Sequence, residues 1–345
     1  MFDEVAKKIL ESLDESLLLT EMYAKFSGGG YRAYKIDIKN FHEINPTLSG
    51  KKIAFVDGGN SEIIGSANFS LSLIRACYVI YKNNKKIISK KIEVYAFIKA
   101  ANENNEICYK ASFFASGSPI NLDEISFSSF DHTLMRGINR AEISSVPNAI
   151  RRFLELKLAK LVSDAKLSDI IVLDGNLQST LTNENKYLTE LYESCTKNNV
   201  ILAALSKTNS IFTDNGNLLS AVLAGISNLP SWSYHPIAEI NSQNHKAELF
   251  FVKLNANSWH VFRFEIFNMQ KMHAEFVIGE LAPNCRDPIF IGYPYGLVEA
   301  DRMARVSNQE KEMLKTTILV KLRNKNIGRY LNATNAHEIL DRISF

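Results

Sequence analysis

Asp57 and Asp174 are the residues best placed to do chemistry in this chain of 345 residues. Each closes a short apolar run. Ile53-Ala54-Phe55-Val56 leads into Asp57-Gly58-Gly59, and Ile170-Ile171-Val172-Leu173 leads into Asp174-Gly175. An unbroken apolar run of this length suits a strand covered on both faces. The acid then emerges at the strand's end, and the glycines either turn the backbone sharply or let a ligand come close. If the two strands lie parallel in one sheet, both carboxylates leave it at the carboxyl edge, where open α/β sheets bind ligands. A strand-end Asp followed by Gly is also a common turn device. The pair therefore gains meaning only with further acids beside it.

Two more carboxylates can reach the same edge. On a helix Asp301 falls beside Leu297 and Ala304, on the side expected to face inward. Stripping water from a lone carboxylate is costly, so an inward acid needs a metal or a partner, and Arg302 and Arg305 are the partners at hand. Glu155 lies at the margin of its helix's apolar arc, next to Leu158 and Val162, although Lys157 shows that this face is not cleanly apolar. Four carboxylates crowded together take up protons unless a dication holds them. Oxygen-only ligands suit Mn²⁺ or Mg²⁺. Two such ions, about 3.5–4 Å apart, clamp the attacking and leaving oxygens of a phosphodiester during in-line displacement. Lys207, just past a strand, would neutralise charge on the phosphate.

The elements that must position these groups can be read coarsely. Residues 2–25 carry Val5, Ile9, Leu13 and Leu17 at helical spacing, an amphipathic helix expected to pack on its own domain and to end at Gly28-Gly29-Gly30. After the Asp57 strand come strands at about 66–82 and 90–100. The turn between them, Lys82-Asn83-Asn84-Lys85-Lys86, holds five lysines when Lys90 and Lys91 are included. That tip is either a solvated loop or a phosphate-contacting finger. Residues 101–146 show no periodicity and are read as an irregular insertion. Pro147 opens a helix with Ile150, Phe153, Leu154, Leu158, Leu161 and Val162 on its apolar face. The Asp174 strand, a helix at about 182–197 and a strand from Val200 to Leu205 follow. Three antiparallel strands and two crossover units make a ribonuclease H-like α/β arrangement, a mixed sheet flanked by helices with inserted and C-terminal additions. Beyond Lys207 the pattern predicts a helix near 217–227, a hairpin of Glu248–Leu254 with His260–Phe267, and helices at about 295–307 and 309–323. No polar linker divides the chain. We expect one domain over 1–345: an N-terminal extension at 1–50, a core at 51–207 and site-completing additions at 208–345.

Bulk properties exclude several classes. A net charge of +3, with 46% hydrophobic and 22% charged residues, is ordinary for a globular protein and decides nothing about nucleic acid. Cys77, Cys108, Cys195 and Cys285 stand far apart, which argues against zinc and against a disulfide framework and fits a reducing, cytoplasmic setting. Met1-Phe2-Asp3-Glu4 is acidic where a signal peptide would be basic. The most apolar stretch, Leu218 to Ile226, is too short to span a bilayer. A membrane protein is not expected.

An ordered series of segments resembles the NurA family of archaeal and bacterial nucleases. It comprises Phe55-Val56-Asp57-Gly58-Gly59, Arg151-Arg152-Phe153-Leu154-Glu155-Leu156-Lys157-Leu158-Ala159, Val172-Leu173-Asp174-Gly175-Asn176-Leu177, Leu205-Ser206-Lys207, and Gly292-Tyr293-Pro294-Tyr295-Gly296-Leu297-Val298-Glu299-Ala300-Asp301. The resemblance implies a ribonuclease H-like core and a Mn²⁺-dependent activity on DNA, exonucleolytic 5′-to-3′ on single and double strands and endonucleolytic on single strands. It further implies a homodimer that docks onto a hexameric HerA-type ATPase during DNA end resection for recombinational repair. Carried over by motif, Asp57, Glu155 and Asp174 would bind metal and Tyr293 would support them. Asp301 stands where some members have His, which leaves open whether it binds metal or orients water. Glu142, in Arg140-Ala141-Glu142-Ile143, is the alternative to Glu155, though the match around Glu155 is better. Two rival functions remain. An actin-like ATPase shares the sheet order but needs more glycine-rich loops than Asp174-Gly175-Asn176 supplies. A non-catalytic DNA- or ATPase-binding module has no need of grouped carboxylates.

Overall fold

Asparagine pairs shape the sheet that carries the site. Asn83-Asn84 and Asn104-Asn105 all adopt positive φ, between 49° and 67°. This is the twist that two-residue hairpin turns require and that Asn tolerates. The computed structural model describes residues 1–14, 21–115, 120 and 122–322. In chain order the elements used below are α1 (Phe2–Asp14), β1 (Phe41–Glu43), β2 (Lys52–Ser66), β3 (Phe69–Lys82), β4 (Lys85–Glu103), β5 (Glu106–Phe114) and β6 (Ile125–Ser128). Then come α2 (Val146–Asp164), β7 (Ile170–Asp174), α3 (Glu184–Asn198), β8 (Ile201–Ser206), α4 (Leu219–Ile226) and β9 (Trp232–Tyr234). The last are β10 (Ala247–Lys253), β11 (Phe262–Phe267), α5 (Ala274–Leu281), α6 (Tyr295–Ala304) and α7 (Asn308–Lys321).

All eleven strands join one sheet in the order β1-β9-β10-β11-β8-β7-β2-β3-β4-β5-β6. At its centre β4-β3-β2 are antiparallel, and β7 and β8 lie parallel to β2. That is the ribonuclease H-like core, extended at both edges. Side chains alternate across the strands, so the sheet has two apolar faces. One face, with Val56, Ile74 and Leu173, packs against Phe153 and Leu154 of α2 and Leu188 of α3. The other, with Phe55, Val172 and Leu205, packs against Val277 of α5 and Leu297 and Ala300 of α6. Helices therefore cover both faces, which is why the central strands read as continuous apolar runs.

Three expectations need correcting. The N-terminal helix does not run to residue 25: Ala24–Lys25 is a short strand paired with Phe212–Thr213, so Gly28-Gly29-Gly30 ends no helix. Leu17 lies outside the described residues. Of the helix's described stripe residues, Val5 and Ile9 are about half exposed, and Phe2 beside them is 82% exposed. Residues 101–146 are not one irregular insertion, because β4 runs on to Glu103 and β5 and β6 extend the sheet. These edge strands escape periodicity because β5 mixes buried Tyr109 and Ala111 with half-covered neighbours on both faces. The short strand β9 and helix α5 were not anticipated. No helix among the described residues is long and apolar enough to cross a membrane. The four cysteines are free, and Cys77, Cys195 and Cys285 are buried.

Candidate metal centre

Parallel register brings the two aspartates side by side. Val56 pairs with Leu173 across β2 and β7, so Asp57 and Asp174 are the next residues on adjacent strands. Both fall on the face of Phe55 and Val172. Leu205 aligns with Asp174 across β7 and β8, and Lys207 follows two residues on, on the same face. Helix α6 crosses this face. Gly296 rests against the Phe55 ring and Ala304 against Gly59, so Asp301 arrives above Asp57. One oxygen from each of Asp57, Asp174 and Asp301 lies within 4.8 Å of the others.

Asp57 does not end its strand, and the glycines after it do not turn. β2 continues to Ser66, and neither Gly58 nor Gly59 has positive φ. They serve close approach instead. A Cβ on Gly58 would lie 2.5 Å from Glu155 Oε1, and one on Gly59 would strike the Ala304 carbonyl. Gly58 faces α2, and its missing side chain is what lets Glu155 reach the sheet edge from the opposite face. Glu155 is 3% exposed, buried rather than solvated. It shares a cleft of about 380 Å³ with Asp57 and Asp174, walled also by Asn148, Asn176 and Gln178. Its carboxylate stands outside the 4.8 Å group and is held by Arg151 Nη1 at 2.6 Å and Arg152 Nη1 at 3.6 Å. Glu142 is exposed and lines a different cavity, with Glu62, Tyr109 and Lys311.

A cation already sits among the three aspartates. Lys207 Nζ is 2.6 Å from Asp174 Oδ2, 3.2 Å from Asp301 Oδ1 and 3.9 Å from Asp57 Oδ2. Burial works against this ammonium, but Asp174, Asp57 and Asp301 outweigh it and raise its pKa. The Lys207 ammonium also lies 5.7 Å from the ring centroid of Tyr293, whose hydroxyl donates to Asp174 Oδ1 at 3.1 Å. Tyr293 is fully buried; burial and the nearby aspartates push its pKa well up, so it stays a donor. Burial, with the Asp174 and Glu155 charges close by, lifts Asp57 to about 9 against the pull of Lys207. Burial raises Glu155 too, although Arg151 and Arg152 oppose it. Asp301 is one-third exposed at the mouth and pairs with Arg305 at 2.8 Å as well as with Lys207.

These residues fit a divalent metal ion. The donors are all oxygens, as Mn²⁺ and Mg²⁺ prefer. Asp57 Oδ1 accepts from the Gly58 amide at 2.7 Å, whereas its Oδ2 is buried with no hydrogen-bond partner. A buried carboxylate oxygen without a partner is costly, and a cation is what would satisfy it.

The turn after Asp174 is braced by groups the sequence reading passed over. Glu265 Oε2 accepts from the Leu177 amide at 2.7 Å, Arg152 Nη2 donates to the Asn176 carbonyl at 2.6 Å, and Ser206 Oγ donates to the Gly175 carbonyl at 2.7 Å. Burial would raise Glu265, but the Arg263 guanidinium, His245 and that amide outweigh it and hold its pKa at about 2. The signal was present in Phe262-Arg263-Phe264-Glu265-Ile266, where an acid stands between two apolar residues of a buried strand.

Residues 51–306 match a family model described as the NurA domain. No curated protein matches the chain. Among solved structures, the NurA nuclease from Sulfolobus solfataricus is 16% identical, with a TM-score of 0.51 over 93% of this chain and 96% of that one. The catalytic domain of human Endonuclease V gives 10% identity and a TM-score of 0.40 over 81% and 92%. The C-terminal lobe of a budding yeast Argonaute gives 11% and 0.33 over 82% and 51%.

Proposed function

The chain belongs to the NurA family, and on that premise we propose that it is a divalent-metal-dependent deoxyribonuclease. Asp57, Asp174 and Asp301 are the central ligands, and Glu155 completes the set from the other face of the sheet. The carrying observation is that one oxygen from each of Asp57, Asp174 and Asp301 lies within 4.8 Å of the others, while Asp57 Oδ2 is buried without a hydrogen-bond partner. Family membership supports a nuclease, and the oxygen donor set supports Mn²⁺ or Mg²⁺, with two ions as the working number.

Such ions supply Lewis-acid activation and charge neutralisation for phosphodiester hydrolysis. The chain's residues do the rest. Tyr293 fixes Asp174 through its hydroxyl, and Arg151 and Arg152 orient Glu155. With metal held by the aspartates, Lys207 would be free to neutralise charge developing on the phosphate. Arg305 holds Asp301 at the mouth.

We extend the reading to the family's pattern: 5′-to-3′ exonuclease on single- and double-stranded DNA, endonuclease on single strands, and a cytoplasmic homodimer working with a hexameric HerA-type ATPase in end resection and recombinational repair. We also propose that 1–345 acts as one unit, with extension 1–50, core 51–207 and completing segment 208–345. A single sheet with strands from all three segments supports this.

The purified chain with Mn²⁺ should degrade labelled single-stranded DNA and lose that activity in EDTA. Asp57→Ala should abolish cleavage without lowering the melting temperature. An Ala variant that digests DNA as well as the parent removes Asp57 from the site.

A further inference from the structure

We propose that Trp259 is a stacking platform for an unpaired nucleobase of the strand entering the metal centre, an inference that rests on the nuclease reading above. The chain has two tryptophans. Trp232 is 1% exposed in the core, whereas Trp259 is 95% exposed. An indole so fully in water is unusual, because large aromatic side chains are mostly covered.

Its position is set by register. β11 runs antiparallel to β8, with Arg263 opposite Ser206. Residues before Phe262 therefore continue past the end of β8 at which Lys207 stands. The 255–261 loop rises from the same sheet edge as the acids.

The loop is also pinned. Asn255 Nδ2 donates to the Cys285 carbonyl at 3.1 Å, and the Asn257 amide donates to Asn255 Oδ1 at 2.9 Å. Ser258, 4% exposed, donates from Oγ to the Ile291 carbonyl at 2.9 Å and accepts from the His260 amide at 3.0 Å. Gly292, at φ +94°, leaves room for the Ser258 side chain. This clamps the loop to the segment that carries Tyr293. Rings continue the connection: His260 lies 5.1 Å from Phe290, Phe290 lies 5.1 Å from Tyr293, and Tyr293 touches Asp174. The indole is thus carried by a braced backbone that leaves the same sheet edge as the acids. A flat aromatic face held in this way suits a base of any identity, because every base has a π-face. The adjacent Ala256, Asn257 and His260 are exposed and small or polar, which suits a nucleotide's polar edges. Exposed Ile289 and Ile291 nearby make a protein contact the competing outcome.

Tryptophan fluorescence tests the assignment directly, because the accessible signal belongs to Trp259. Titrating a single-stranded oligo-dT into Asp57→Asn protein should quench the emission, and the quench should vanish when Trp259→Leu is added. Trp259→Leu should weaken oligo-dT binding on the order of tenfold, with Trp259→Phe restoring most of it. An abasic deoxyribose-phosphate oligomer should bind both forms equally. Binding without quenching, or unchanged affinity in Trp259→Leu, overturns the proposal. So does emission that responds to protein concentration and not to DNA, which assigns Trp259 to a protein contact. Hydrolysis of bis(p-nitrophenyl) phosphate with Mn²⁺ separates the two readings. If the parent hydrolyses neither this ester nor DNA, the nuclease reading fails. If the parent hydrolyses both and Trp259→Leu matches it on DNA, only the stacking platform fails.

Discussion

Without a divalent ion, burial and the Asp174 and Glu155 carboxylates favour the protonated form of Asp57, lifting its pKa to about 9. A carboxyl raised in the folded state contributes stability fully below its unfolded pKa of about 3.9, and that contribution is lost as pH rises toward the folded value. Asp57→Asn keeps the shape of the protonated acid and does not titrate. In EDTA at pH 8 it should melt on the order of 5 °C above the parent, with the gap shrinking as pH falls toward 4. Scanning calorimetry across that window checks the sign. A parent that melts no lower than the variant at pH 8 contradicts the buried-charge account. Mn²⁺ should raise the parent's melting point and leave the variant's unchanged. Asp57 and Asp174 were legible because an acid that breaks an apolar run is conspicuous. Glu155 was ambiguous because α2 is buried on most sides, with Leu154, Leu156 and Leu158 spread around it, so no clean apolar stripe marks which way the acid points. Glu265 was visible as an acid in an apolar strand with Arg263 two residues before it, but the His245 and Leu177 partners that give it a role meet it only in the folded chain.

At the scale of elements, glycine decides how closely α6 approaches the sheet. A Cβ on Gly59 meets the Ala304 backbone, which cannot rotate away as a side chain can. Overpacking of this kind costs about 1–3 kcal/mol, and α6 would carry Asp301 outward with it. Gly59→Ala should therefore lower stability by about 2 kcal/mol in urea unfolding and weaken Mn²⁺ binding measured by calorimetry. Gly29→Ala, with nothing near its Cβ, should change neither. Parental Mn²⁺ affinity in Gly59→Ala would mean that the seating of α6 does not set the site. In sequence, Gly58 and Gly59 read as a sharp turn or as room for a ligand, because only local neighbours are visible there. Their use depends on a helix about a hundred residues later and another at the far end of the domain. The central strands and α2, α3, α6 and α7 were legible from periodicity and from Pro147. The strand at Ala24–Lys25 and the extra strands β5 and β6 were not, since helical spacing alone does not mark where a helix gives way to a strand and edge strands bury too little to alternate.

For the molecule as a whole, the site exists because two covered faces of one sheet end at the same edge. Asp57, Asp174, Lys207, Tyr293 and Asp301 come from one face, and Glu155 comes round from the other past a glycine. The ribonuclease H-like order was legible from the succession of strands and crossovers. The division of the acids between faces was not, because it depends on strand parity combined with helix placement. The most direct measurement is an anomalous difference map from crystals soaked in Mn²⁺. The account predicts density bounded by Asp57, Asp174 and Asp301, with the Lys207 ammonium moved off the carboxylates. A map at saturating Mn²⁺ with no peak there, and Lys207 still against Asp174, would contradict it.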